Sequence, residues 1–256
     1  MASPNSILIT GASSGIGEAL AQAYARSGVT LAISGRDAGR LNGVAAACRR
    51  SGATVDAKVI DVTDADGMDA WIGGADSLAP IDLVIANAGI SGGTGGTGGF
   101  GEPADQARHI FDVNLMGVVN TVQPAIARMR QRGKGQIALI SSCASFRGIP
   151  GVPAYSASKA AVRTYGEALR GSLHRHGIAV SVICPGFVVS RMTDGNRFPM
   201  PLIMDADRAA GIIVRGLARN RSRIAFPWRI YALSWLIGVL PPAVTDPLMR
   251  KIPAKD

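Results

Sequence analysis

The chain has 256 residues, is 47% hydrophobic and carries a formal net charge of +9. That length suits one large α/β domain with a sizeable core, and the 32 glycines show no collagen-like period. Eight Lys/Arg against two Asp/Glu fall from Arg215 onward, so the basic excess gathers in the tail. No nucleic-acid motif accompanies it, which argues against a nucleic-acid binder. The cysteines Cys48, Cys143 and Cys184 are odd in number, widely spaced and without a CxxC pair. A disulfide framework or a metal site is therefore not expected, and a cytoplasmic setting is. The short polar stretch before the first strand is read as leaving no room for a signal peptide.

Apolar runs that read as strands alternate with helical patterns along the chain. Strands are predicted at 6–10, 30–34, 55–59, 83–87, 136–141, 179–184 and 224–226. Helices are predicted near 17–27, 37–51, 64–78, 105–132, 153–176 and 205–219. Continuous apolar strands between helices imply a doubly wound, Rossmann-type α/β fold: a parallel sheet of about seven strands, covered on both faces. No repeat or long linker appears. We expect one domain over residues 1–256, with an apolar and basic extension at 227–256. Its ligand site should lie beyond the carboxyl ends of the strands.

The first strand runs into Thr10-Gly11-Ala12-Ser13-Ser14-Gly15-Ile16-Gly17. Glycines here permit a tight turn, a close approach to a pyrophosphate and close helix packing. The following helix offers free N–H groups and a positive dipole end to phosphates. Gly11, Ser13, Ser14, Gly15, Ile16 and Gly17 are thus candidates for holding a dinucleotide. The second strand ends Ser34-Gly35-Arg36-Asp37. An NAD site needs a carboxylate near here for the ribose 2′-hydroxyl. Gly35 has none, Arg36 can neutralise a 2′-phosphate, and Asp37 reads as a helix cap, so NADP(H) is expected over NAD(H). Asp61 and Val62 end the third strand and are candidates for the adenine. Asn87, Ala88 and Gly89 end the fourth, where Gly89 lets the backbone pass close to a ligand and Asn87 fixes the strand edge. The loop 91–99, SGGTGGTGG, reads either as a solvated insertion or as a wall of the site.

Ser141-Ser142 end the fifth strand, and Tyr155 stands beyond in Tyr155-Ser156-Ala157-Ser158-Lys159. Positions i and i+4 share a helix face, so Lys159 lies one turn from Tyr155. A phenol is a weak base near neutrality, and a nearby ammonium favours its ionised form. Tyr155 can then exchange a proton with a substrate oxygen, while Ser142 donates to the same oxygen.

In order along the chain, Gly11-x3-Gly15-x-Gly17, Asp61, Asn87-Ala88-Gly89, Asn114, Ser142, Tyr155-x3-Lys159 and Pro185-Gly186 resemble the short-chain dehydrogenase/reductase family, from Ile7 to about Phe226. The resemblance implies that Tyr155 is the general acid/base, that Lys159 also holds the nicotinamide ribose, and that Asn114 distorts its helix and holds a relay water. It further implies that Pro185, Gly186, Val188 and Ser190 meet the nicotinamide, with Thr193 sharing that role. Ala86 and Ser145 depart from the family's usual residues without removing a reacting group. A homodimer or homotetramer is implied as well.

The loops expected to choose the substrate are apolar: Cys143, Phe146, Ile149, Val152, Phe187, Met192, Phe198, Met200, Leu202 and Met204. They point to a small-molecule carbonyl or alcohol that is lipid-like, aromatic or terpenoid. The uncharged stretch 230–240, closed by Pro241-Pro242, is too short to span a bilayer. It is expected either to be buried, in an oligomer interface or over the active site, or to lie on a membrane surface, with flanking arginines near anionic lipid. The function read from the sequence is an NADP(H)-dependent carbonyl reductase, reversible to an alcohol dehydrogenase. The alternatives are an NAD(H)-dependent enzyme of the same family, a non-catalytic nucleotide-binding regulator, and a nucleotide-sugar epimerase or dehydratase.

Overall fold

In a computed structural model, residues 3–94, 101–194, 196 and 199–250 are described. Seven parallel strands form one sheet in the order β3-β2-β1-β4-β5-β6-β7. They are β1 (Ser6–Ile9), β2 (Thr30–Gly35), β3 (Thr54–Val59), β4 (Leu83–Ala86), β5 (Gly135–Ile140), β6 (Ile178–Pro185) and β7 (Arg223–Phe226). The strand order reverses between β1 and β4, which opens a crevice at their carboxyl ends.

The helices are α1 (Gly15–Tyr24), α2 (Ala38–Arg50), α3 (Ala65–Leu78), α4 (Ala104–Phe111), α5 (Gly117–Arg132), α6 (Pro153–Leu173), α7 (Arg191–Asp194), α8 (Ala206–Ala218), α9 (Trp228–Val239) and α10 (Pro242–Met249). Successive strand residues point to opposite faces, and the two cores follow from that alternation. Ile7 and Ile9 pack with Leu20 of α1, Leu41 of α2 and Ile213 of α8. Leu8 packs on the other side with Met68 of α3, Val122 of α5 and Val162 of α6. The edge strand β3 is largely exposed and carries Asp56 and Lys58. Charges of this kind keep an edge from pairing with another chain.

The predicted helix at 105–132 is divided by a π-helical turn, Asp112–Met116, between α4 and α5. Periodicity has no means of signalling one extra residue in a turn. The helix predicted at 17–27 ends at Tyr24, because Ala25 has an extended backbone. Pro241 and Pro242 end α9 as expected, but Pro242 also starts α10, an element absent from the sequence reading. Proline suits the first turn of a helix because its missing N–H is not needed there.

Helix α6 lies close against the sheet through Gly166. A Cβ on Gly166 would stand 2.6 Å from Cγ2 of Val182 and 3.1 Å from Cδ1 of Leu139. We expect Gly166→Val to cost about 1–3 kcal/mol of stability by overpacking. It should also slow turnover by lifting the helix that carries Tyr155. An unchanged denaturation midpoint would show that α6 rests on other contacts.

Candidate active site

The crevice is a cavity of ≈ 1060 Å³. Its nucleotide end is shaped by the turn after β1. Gly11 takes φ +66°, and a Cβ there would stand 2.7 Å from Cα of Ala88. Behind it the Asn87 side chain donates to the carbonyls of Thr10 and Gly11 at 3.0 and 3.1 Å. The Thr10 hydroxyl accepts from the backbone of Asn87 and Ala88 at 3.1 and 3.3 Å. These bonds lock the ends of β1 and β4 together. Gly11, Ser13, Ser14, Gly15, Ile16, Arg36, Asp61, Val62, Asn87, Ala88 and Gly89 all line the cavity. Gly17 does not. It sits behind the turn, where a Cβ would come within 2.5 Å of Nδ2 of Asn87.

The end of β2 has a steric reason to be glycine. A Cβ at Gly35 would meet Cβ of Ser13 at 3.0 Å. Arg36 faces Asp61 at 3.6 Å, and Arg40 faces Asp37 at 2.7 Å. Asp37 caps α2 by accepting from the Arg40 amide at 2.9 Å. Both Arg40 and Asp37 line the cavity. Arg40 was missed in the sequence, although it lies one helical turn beyond Arg36. Burial raises the Asp61 carboxyl, but hydrogen bonds from the Thr63 amide and hydroxyl, with Arg36 and His109 nearby, hold it below its ordinary value.

At the other end, Ser142, Tyr155 and Lys159 line the same cavity. Burial pushes the Tyr155 phenol up, and a hydrogen bond with the Ser142 hydroxyl opposes that rise. Lys159 is 3% exposed. Its ammonium donates to the Ile140 carbonyl at 2.9 Å and lies 5.8 Å from the centre of the Tyr155 ring. Burial pulls Lys159 down to about 8. The Ser141 hydroxyl donates to the Lys159 carbonyl at 2.7 Å and ties α6 to the end of β5.

Asn114 lies in the π-helical turn and is fully buried. Its side chain accepts from the Ile90 amide at 2.7 Å and donates to the Ile90 carbonyl at 2.9 Å. It also donates to the Ser158 hydroxyl at 3.1 Å. It therefore does not line the cavity. It stands beside Lys159 behind Gly89, where a Cβ would meet Asn114 Oδ1 at 3.1 Å and Lys159 Nζ at 3.2 Å. Neither Ser141 nor Ser158 was singled out in the sequence, since each acts through a contact remote in the chain or through the backbone.

Pro185, Gly186, Val188 and Ser190 line the cavity beyond β6. The Thr193 hydroxyl accepts from the Ser190 amide at 2.9 Å and donates to the Ser190 carbonyl at 2.7 Å, so it braces this loop. Of the apolar loop residues, Cys143, Ile149, Val152, Phe187 and Met192 line the cavity. Phe146, Met200, Leu202 and Met204 do not. Phe146 packs edge-on against Tyr231 at 5.5 Å, Met204 is buried in a bridge to Val188, and Leu202 is half exposed. Phe198 and most of the loop 91–99 lie outside the described residues. The C-terminal helices, for which burial over the active site was one expectation, supply a wall of the cavity: Ile230, Leu233, Ser234 and Ile237 of α9, and Met249 of α10. The three cysteines are buried and free, and the Cys143 thiol donates to the Cys184 carbonyl at 3.3 Å.

A glycine-cradled nucleotide crevice and a Ser–Tyr–Lys cluster on one sheet edge define a nicotinamide-dependent oxidoreductase. The short chain dehydrogenase family model matches residues 5–199, and the chain belongs to the short-chain dehydrogenase/reductase family. An oxidoreductase of Myxococcus xanthus is 37% identical over 96% of this chain and 96% of its own. A short-chain dehydrogenase from Sphingobium yanoikuyae, solved with NADPH, superposes with a TM-score of 0.80 at 27% identity, covering 97% of this chain and 96% of that one. A relative in fold from Burkholderia phymatum, solved with NAD, gives 0.83 at 24% identity over 98% and 97% of the two chains. Members of the family are dehydrogenases and reductases of alcohols and ketones, and this chain is one of them.

The buried Lys159 has a measurable consequence. In the unfolded chain it keeps its proton up to about 10.5, whereas in the folded chain it loses it near 8. Between these values the unfolded state binds more protons, so this group adds stability as pH rises. Relative to Lys159→Met, wild type should gain on the order of 3 kcal/mol between pH 7 and pH 10. Parallel urea melts of the two proteins measure it. A difference that does not change with pH would mean that Lys159 titrates at its ordinary value.

Proposed function

We propose that the chain is an NADP(H)-dependent oxidoreductase of apolar ketones or their secondary alcohols. The observation that carries this reading is the convergence of Ser142, Tyr155 and Lys159 on a cavity whose far wall is aliphatic. A bound nicotinamide would supply or take the hydride at the substrate carbon. Tyr155 gives the proton to the carbonyl oxygen in reduction and takes it back in oxidation. Its burial favours the protonated phenol in the free chain, which suits it to act as the acid. Ser142 donates to the same oxygen and fixes its distance from the phenol. Lys159 brings a positive charge near the phenol and, lining the same cavity, would hold the ribose hydroxyls of a bound cofactor. Asn114 stands beside Lys159 behind Gly89, where it would hold the water of a relay that carries protons between the lysine and solvent.

The residues fit a dinucleotide. The turn at Gly11 and Gly15 leaves room for a pyrophosphate at the start of α1, and Asp61 and Val62 flank the place of the adenine. Pro185, Gly186, Val188 and Ser190 form the wall for the nicotinamide. A 2′-phosphate is favoured by Arg36 and Arg40, two guanidinium groups on the cavity wall. The NADPH complex of the Sphingobium relative agrees with that preference. A second reading, NAD(H), is favoured by Asp37, whose carboxylate lies on the same wall.

The substrate is expected to be lipid-like, aromatic or terpenoid, because Ile149, Val152, Phe187, Met192, Ile230 and Ile237 surround the reacting cluster. Among the described residues the carboxylates that line the cavity, Asp37 and Asp61, belong to the nucleotide end. Arg147 is paired with Asp246 at 2.7 Å, and Arg191 also lines the cavity.

Two experiments test these points. Tyr155→Phe should lower kcat for ketone reduction by about 10²–10⁴-fold while leaving NADPH binding intact. Full turnover in that variant on a good substrate would overturn the mechanism. Replacing Arg36 and Arg40 together by Ala should raise KM for NADPH by about tenfold or more and leave KM for NADH nearly unchanged. A wild type that prefers NADH would instead assign the ribose to Asp37.

A further inference from the structure

We propose that α9 and α10 form a docking face for an anionic bilayer surface, and that this face places the substrate cavity against the lipid. The docking stands on the surface itself, whereas delivery of substrate rests on the reading of an apolar ketone or alcohol.

Helix α9 has two apolar faces and no buried residue. Ile230, Ser234 and Ile237 turn inward to the cavity. Tyr231 and Gly238 pack on Phe146, and any side chain at Gly238 would run into the Phe146 carbonyl. The outward face carries Trp228 at 70% exposure, Trp235 at 48%, Leu236 at 48% and Val239 at 58%. Helix α10, next in the chain, exposes Val244 at 63% and Leu248 at 51%, while Thr245 and Met249 are buried. Large apolar side chains exposed on two successive helices point to an interaction site.

Charge decides what covers it. Residues 228–250 contain one carboxylate, Asp246, and Arg147 already neutralises it at 2.7 Å. The exposed Arg229 and Arg250 stand near the two ends of the pair of helices. Arg229 lies over the Trp228 ring at 5.6 Å. A second copy laid face to face would set the same arginines against each other, with Asp246, already paired, as the carboxylate of 228–250, and each copy carries a net +9. Anionic headgroups answer those charges, and tryptophans suit the depth of the headgroups. Among the described residues no helix is long and apolar enough to cross a membrane, so α9 would lie along the surface. Its inward face would then open the cavity beside the acyl chains.

The test is co-sedimentation of the full chain with phosphatidylcholine vesicles, with and without phosphatidylglycerol, at low and high salt. Wild type is expected to bind the phosphatidylglycerol vesicles and to be released by salt. The triple variant Trp235→Gln, Leu236→Gln, Val239→Gln should bind at least about tenfold more weakly. It should keep its melting temperature and its turnover of a short, water-soluble ketone, because none of the three residues lines the cavity. Arg229→Glu, which leaves the apolar face intact, should weaken binding to the anionic vesicles alone. Sedimentation velocity in the absence of lipid completes the set.

Failure of wild type to bind at low salt would overturn the docking. So would a triple variant that binds as well as wild type, or one whose only change is the loss of a dimer. With docking established, long-chain ketones carried in phosphatidylglycerol vesicles should be reduced faster by wild type than by the triple variant. Equal rates would overturn delivery. No turnover of any apolar ketone, with vesicle binding intact, would overturn the substrate reading and leave the docking standing.

Discussion

An ammonium buried under the floor of the crevice is the constraint on which the rest of the site depends. Lys159 is 3% exposed, and among the described residues its ammonium has one hydrogen bond, to the Ile140 carbonyl. Burying such a charge with so little compensation is unfavourable, and the depressed titration of Lys159 reflects this. Around it the chain uses several rarer devices. Gly89 has no side chain to intrude, a π-helical turn brings Asn114 to its flank, and Ser141 ties the lysine's own backbone to β5. The Asn114 side chain is in turn consumed by Ile90 and Ser158. The end of β4, the start of α5 and the middle of α6 are thus joined at a single point behind the reacting groups.

The opposite end of the crevice rests on a different balance. Two arginines face the cavity, each already close to a carboxylate, Arg36 near Asp61 and Arg40 near Asp37. Both pairs are substantially exposed, so neither contributes more than a small amount to stability. Their cost of rearrangement is correspondingly low. An incoming phosphate dianion is a stronger bidentate partner for a guanidinium than a solvated carboxylate. In the proposed NADP(H) reading the two arginines exchange these carboxylates for the 2′-phosphate, while the Gly11 turn and the Asn87 bonds keep the backbone fixed.

Much of this was legible in the sequence, for physical reasons that differ from residue to residue. The strands read cleanly because a doubly covered parallel sheet demands continuous apolar runs, and β1 is buried along its whole length. The Tyr155–Lys159 spacing and the glycines of the first turn carry their geometry in local sequence. The π-helical turn at Asp112–Met116 does not, because one added residue leaves the apolar period almost unchanged; the family resemblance alone implied a helix distorted at Asn114, which lies in that turn. Arg40 looked like an ordinary helix residue until the cavity showed which way α2 begins. The substrate loops misled in part. Apolar side chains at Phe146 and Met204 were read as pocket, yet one supports α9 and the other fills a bridge to Val188. Composition says that a loop will bury something, but it does not say against what.

The same limit explains why the C-terminal helices were the hardest part to place. Their apolarity all round suits either burial or a lipid surface, and only the fold shows that they face two ways at once. The inward face is held by a few specific contacts: Tyr231 on Phe146, Arg223 on the Tyr231 hydroxyl at 3.1 Å, and Arg147 on Asp246. The reacting cluster, in contrast, is fixed to the central strands of the sheet. The reacting cluster is therefore built on the central strands, and this wall of the cavity on the C-terminal helices. In the proposed reading of an apolar substrate, the wall that meets the substrate and the groups that exchange the proton thus belong to separate parts of the fold.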